Sequence, residues 1–92
     1  MSETLTAIVE VPNRLGLHAR AAAKLVDLAN RYQSHIEVSK DGQVADAKSI
    51  MGVLLLCGQQ GAEITIHARG ADANAALAAL CGLVADGFGE MQ

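Results

Sequence analysis

Residues 35–47 read His35-Ile36-Glu37-Val38-Ser39-Lys40-Asp41-Gly42-Gln43-Val44-Ala45-Asp46-Ala47. Residues 35–40 have the alternation of a strand, with Ile36 and Val38 on the inner face. Asp41-Gly42 is the dipeptide favoured by a two-residue hairpin turn, in which both central residues take positive φ. Residues 43–47 then return as a second strand, so the segment is an antiparallel hairpin. Helical patterns flank it on both sides, which points to an α+β fold and not to a parallel α/β sheet.

The pattern extends outward in both directions. Residues 5–11 set Leu5, Ala7, Val9 and Val11 against Thr6, Ile8 and Glu10, a strand with one imperfect outer position at Ile8. Pro12-Asn13 breaks it. Residues 19–32 carry Ala22, Leu25, Val26, Ala29 and Tyr32 on one helical stripe, with Arg20, Lys24, Asp27 and Arg31 opposite. Downstream, Ser49 is a suitable N-cap for a short helix over Ile50–Leu56, and Gly58 a suitable terminator. Residues 62–69 form another strand, with Ile64, Ile66 and Ala68 inward and Glu63, Thr65 and His67 outward. Asp72 is placed to cap a final helix whose stripe is Ala73, Ala76, Leu77, Leu80, Leu83, Val84 and Phe88, closed by Gly87-Phe88-Gly89. The order is βαββαβα. No repeat or linker interrupts it, so residues 1–92 are expected to form one domain whose helices cover one face of an antiparallel sheet.

Composition narrows the function. The chain is 51% hydrophobic and 18% charged, enough to build a core. Aromatics are only 2%, so that core is packed from Leu, Ile, Val and Ala. A net charge of -3 without a basic stripe argues against nucleic acid as a partner. Cys57 and Cys81 have no metal-ligand spacing, and both are read as buried small hydrophobes. Met1-Ser2-Glu3-Thr4 lacks the basic and apolar regions of a leader, and no apolar run reaches a membrane span of about 20 residues. A cytoplasmic protein with no membrane partner is the expectation. No metal-ligand cluster and no phosphate-cradling glycine motif is present, so no metal or nucleotide cofactor is expected.

His18 is the residue with chemical promise. It lies where strand gives way to helix, behind Gly16, which permits a tight turn and a close approach by another molecule. The first N–H groups of a helix lack intrahelical partners and favour negative charge, so the terminus suits a phosphate. Arg20 follows. A cation there is opposed by the helix dipole by about 0.3–1 kcal/mol, which a phosphate shared with the guanidinium would offset. His35 and His67 lack such a setting and are read as solvated surface groups. Ser49 could be a cap alone or a phosphorylation site as well. Ile50, Met51, Leu54 and Leu55 exceed what one short helix can bury, which suggests an exposed apolar patch.

Gly16-Leu17-His18-Ala19-Arg20 and Lys48-Ser49-Ile50-Met51-Gly52-Val53 together resemble the HPr-like family of histidine-containing phosphocarriers in the bacterial phosphotransferase system. Gln60–Ile66 looks like the family's last strand, and Gly70-Ala71-Asp72 like the entry to its last helix. The resemblance implies an open-faced β-sandwich with strand order 1-4-2-3 and three helices on one face. It implies that His18 accepts a phosphoryl group at Nδ1 from phospho-enzyme I, ultimately from phosphoenolpyruvate. An enzyme IIA then receives it, for sugar uptake and regulation. Arg20 would stabilise the phosphate, with the backbone of Ala19 and Arg20 binding it. Ser49 matches the serine modified by a dedicated kinase in many members. Ile50, Met51 and Leu54 match partner-docking residues, and Leu17 and Lys24 are placed with them. Such a protein is a monomeric carrier and not an enzyme on its own. Ala21 stands where the family often has proline, and it puts the branch in question more than the mechanism. The alternatives are a carrier of the nitrogen-related branch and a non-catalytic regulatory binding protein controlled at Ser49.

Overall fold

The computed structural model describes residues 3–90. Met1 and Ser2, half of the stretch read for a leader, and residues 91–92, the end of the expected 1–92 span, lie outside the described residues. The elements are β1 (Thr4–Glu10), α1 (Ala19–Ala29), β2 (His35–Lys40), β3 (Gln43–Asp46), α2 (Ile50–Leu55), β4 (Glu63–Arg69) and α3 (Ala73–Ala85), followed by a 3-10 turn at Gly87–Gly89. The strands form one antiparallel sheet in the order β1-β4-β2-β3. The helices pack on one of its faces, giving the expected open-faced α+β sandwich.

The alternation read in the sequence sets this arrangement. On β4 Ile64, Ile66 and Ala68 are fully buried, and on β2 Ile36 and Val38 are. Ile8, the imperfect position of β1, faces outward and is exposed. Asp41 and Gly42 both take positive φ, as a two-residue hairpin requires, and Lys40 pairs with Gln43 across the turn. In α1 the buried positions are Ala21, Ala22, Leu25, Val26 and Ala29. Alanines at three of these let the helix lie close to its neighbours.

Local rules fail where tertiary contacts claim the residue. The first helix stops at Ala29, not Tyr32, because Arg31 and Tyr32 donate to the carbonyls of Leu28 and Ala29, a tightened last turn. Tyr32 still packs against the core. Gly58 is not the terminator of α2. Cys57 occupies the left-handed position with φ 53, and it is exposed, contrary to the expected burial. Gly58 serves instead as a contact surface, since a Cβ there would run into the Leu17 side chain. Cys81 is half-buried, and burial pushes its thiol up from the ordinary value. His67 is not a free surface group. Its two ring nitrogens lie 3.2 Å from Thr6 Oγ1 and 3.2 Å from Ser39 Oγ, linking three strands on the open face. His35 is exposed and pairs with Glu37 at 3.1 Å.

Asp72 is not a side-chain cap of α3. Its carboxylate accepts the N–H groups of Gln33 (2.8 Å) and Ser34 (2.9 Å) and the Ser34 hydroxyl (2.5 Å), tying the loop before β2 to the start of α3. The Ser34 hydroxyl, and next the Gln33 N–H, hold this carboxyl below the usual carboxylate range. A depressed value stabilises the fold fully above the unfolded pKa of about 3.9, and the contribution is lost as pH falls through the depressed value. Asp72→Ala should therefore lower the urea midpoint at pH 7, and the gap from wild type should close between about pH 5 and pH 2. A gap that stays constant across that range would mean that the carboxylate charge plays no part.

Candidate functional site

The segment between β1 and α1 is shaped by a side-chain bond of the strand-breaking Asn13. Its Nδ2 donates to the Gly16 carbonyl at 2.9 Å, and the Gly16 N–H returns to the Asn13 carbonyl at 3.1 Å. Gly16 has φ +65, and a Cβ on it would collide with the backbone of Gly58 and Gln59. The Leu17 N–H then donates to the Gly58 carbonyl at 2.6 Å, which pins this loop to the one after α2. Leu17 is only 5% exposed. It supports the loop from within and offers no surface to a partner, which corrects its placing among docking residues.

This bracing delivers His18 to the N-cap of α1 itself, with extended backbone at φ -73 and ψ 178. Its Nδ1 accepts the Arg20 N–H at 3.3 Å. A backbone N–H can only donate, so Nδ1 presents a lone pair and the proton of the neutral ring belongs on Nε2. Nε2 lies 2.5 Å from Glu90 Oε1. The imidazole is thus held at both nitrogens, with Nδ1 toward the helix terminus. Helix geometry leaves the N–H groups of Ala19 and Ala21 without intrahelical partners there as well.

Glu90 is the residue that sequence reading missed. Its Oε1 also accepts Asn13 Nδ2 at 2.8 Å. The His18 hydrogen bond first, then the Asn13 bond and the charge of Arg20, hold its carboxyl below the ordinary value against the opposing effect of burial. Arg14, Leu15, Arg20 and Glu90 line a recess of about 350 Å³ beside the ring. The only sign in the sequence was Gly87-Phe88-Gly89, read as a helix end. In the structure it is a turn of three positive-φ residues that buries Phe88 fully and reverses the chain toward His18. Lys24, placed among docking residues, donates to the Phe88 carbonyl at 2.6 Å and so fastens that turn to α1.

The second motif lies on α2. Ser49 is its N-cap, with Oγ accepting the Gly52 N–H at 3.2 Å. Val53 and Leu56 enter the core and Leu54 is half-buried. Ile50, Met51 (66% exposed) and Leu55 (67%) stand out into solvent, so the excess apolar residues do form an exposed patch. Among the described residues no helix is long and apolar enough to cross a membrane.

A family model described as the PTS HPr component phosphorylation site matches residues 5–86. The chain belongs to the HPr family. It is 47% identical over 78 residues to the phosphocarrier protein HPr of Cupriavidus necator, covering 85% of this chain and 88% of that one. It is 44% identical over 82 residues to the phosphocarrier protein NPr of Shewanella violacea, covering 89% and 90%. The crystal structure of HPr-C-His from Thermoanaerobacter tengcongensis superposes with a TM-score of 0.92 at 40% identity, covering 96% and 99%. Like its relatives, this HPr-family protein is a phosphoryl carrier and not a catalyst in its own right.

Gly16→Ala tests the bracing of the site. It forces positive φ on an alanine and drives a methyl group into the backbone of Gly58 and Gln59. A loss of more than about 1 kcal/mol is expected, with shifts of the Leu17 and His18 amide resonances. A variant with wild-type melting and an unchanged spectrum would show that the two loops are not locked together.

Proposed function

We propose that His18 accepts a phosphoryl group at Nδ1 from phosphorylated enzyme I and passes it to an enzyme IIA. On this reading, the chain works as a monomeric, single-domain carrier in the cytoplasm. The observation that carries it is the lone pair of Nδ1 presented at the N-terminus of an eleven-residue helix. Attack by that pair brings the phosphoryl oxygens among the N–H groups of the first turn, where the helix dipole favours anions. The exposed Arg20 supplies a guanidinium that can take two phosphoryl oxygens. Transfer of this kind depends mainly on positioning and charge stabilisation, which the carrier shares with its partner. Ile50, Met51 and Leu54 would form the docking surface, with Ser49 beside them as a site for a serine kinase.

Incubation with enzyme I and phosphoenolpyruvate should give an acid-labile phosphohistidine on wild type and none on His18→Ala, whose circular dichroism should be unchanged. A His18→Ala protein that still takes up phosphate removes His18 from the role. Arg20→Ala should slow transfer roughly tenfold or more, the loss of one charge-assisted hydrogen bond of about 1.5–3 kcal/mol. Normal rates would leave Arg20 a plain surface residue.

Ser49→Asp places negative charge at the head of the apolar patch. It should raise the apparent KM for this carrier in transfer from enzyme I, with an effect that weakens in salt. Met51→Ala should raise KM independently of salt. Equal kinetics for Ser49→Asp and wild type at every carrier concentration would leave Ser49 a cap only.

A second reading has its own support. The NPr relative is nearly as similar as the HPr relative, so the nitrogen-related branch is the alternative. Rates with the enzyme I of each branch separate the two.

A further inference from the structure

We propose that Glu90 is a positioning residue for phosphoryl transfer, holding His18 in the Nε2–H tautomer and meeting the positive charge that the ring gains when Nδ1 binds phosphorus. The inference rests on His18 being the acceptor. The contact is not an ordinary surface ion pair. The His18 and Glu90 side chains are only 25% and 15% exposed, and they meet at 2.5 Å. The same carboxylate oxygen takes the Asn13 amide, whose side chain is itself buried and braces the loop that carries His18. Residue 90 reaches this position through a turn in which Phe88, a non-glycine residue, takes φ 58. Such a conformation costs free energy, and here it is held by burial of the ring and by the Lys24 bond to the Phe88 carbonyl. Glu90 adjoins Nε2, across the ring from the reacting nitrogen, so it leaves the path to Nδ1 clear.

The step balances as follows. The Nδ1 lone pair forms the new N–P bond while the donor's bond to phosphorus breaks and its electron pair leaves with the donor atom. The Nε2 proton stays on the ring. The phosphorylated ring then carries imidazolium character, and the Glu90 carboxylate at Nε2 stabilises it more than water at a half-exposed ring would. In the return step the same protonated ring is the leaving group, so the carboxylate holds it ready for transfer onward.

A donor without a docking surface isolates this effect. Phosphoramidate transfers its phosphoryl group to imidazole with release of ammonia and needs no protein partner. With it, wild type should form phosphohistidine at His18, followed by 31P NMR and mapped by mass spectrometry. Glu90→Gln keeps the shape and an acceptor oxygen but removes the charge. It should be labelled roughly tenfold more slowly, with unchanged circular dichroism and only a small fall in the urea midpoint, since charge-assisted hydrogen bonds are about twice as strong as neutral ones. Ring 15N shifts should show the Nε2–H tautomer in wild type and Glu90→Gln, and a tautomer mixture in Glu90→Ala. A Glu90→Gln protein labelled as fast as wild type, or faster, overturns the role of Glu90 while leaving His18 as the acceptor. A wild type labelled elsewhere than His18 overturns the reading on which the inference rests.

Discussion

The constraint on which the molecule depends is the insertion of β4 between β1 and β2. Its inner residues Ile64, Ile66 and Ala68 are fully buried, and its edges pair antiparallel with both neighbours. That placement fixes where everything else ends. Glu10, at the end of β1, pairs with Glu63 at the start of β4, and Arg69 at the far end of β4 pairs with Thr4. The third helix therefore runs back along β1 and β4 toward the end where the loop before His18 emerges. Thirteen helical residues cover about 20 Å, while seven strand residues cover about 23 Å. The closing turn at Gly87–Gly89 supplies the remaining reach, which is how residue 90 arrives beside residue 18.

Much of this was legible because it is periodic or local. Alternation marked the inner faces of β1, β2 and β4, Asp41-Gly42 marked the hairpin that brings in β3, and Ser49 marked the start of α2. The rest depended on partners distant in the chain. Asp72 has the composition of a cap, yet its carboxylate is taken by the loop at Gln33 and Ser34. Gly58 has the composition of a terminator, yet the need for close contact with Leu17 outranks it and leaves Cys57 in the left-handed position. Leu17 stands beside the histidine in sequence but points into the core, a difference of one residue that no periodicity resolves at a cap. His18 and Arg20 could be found from their place at a helix start. Glu90 could not, because its meaning comes from a bond across 72 positions.

The site is economical because the candidate nucleophile is also the helix cap. Nδ1 occupies the role that a serine or aspartate oxygen plays at other helices, accepting an N–H of the first turn. On the reading proposed above, phosphorylation uses that lone pair and releases the Arg20 N–H. A phosphoryl oxygen placed at the same nitrogen is a better acceptor for it. The helix would exchange one capping group for another, so loading and unloading need not unwind α1.

The turn that fastens Glu90 has a consequence for motion. Short turns held by few contacts open locally at a small cost in free energy, and here one such turn is attached to the ring at the centre of the site. Phe88 and the Lys24 bond oppose that opening. When the turn opens, His18 keeps its bond to α1 but loses its second anchor, and the ring gains rotational freedom about a single remaining contact. The opening equilibrium of Gly87–Glu90 thereby bears on how much of the population presents an oriented imidazole. Amide exchange at Phe88–Glu90 is a direct gauge of the entropy the ring carries between transfers.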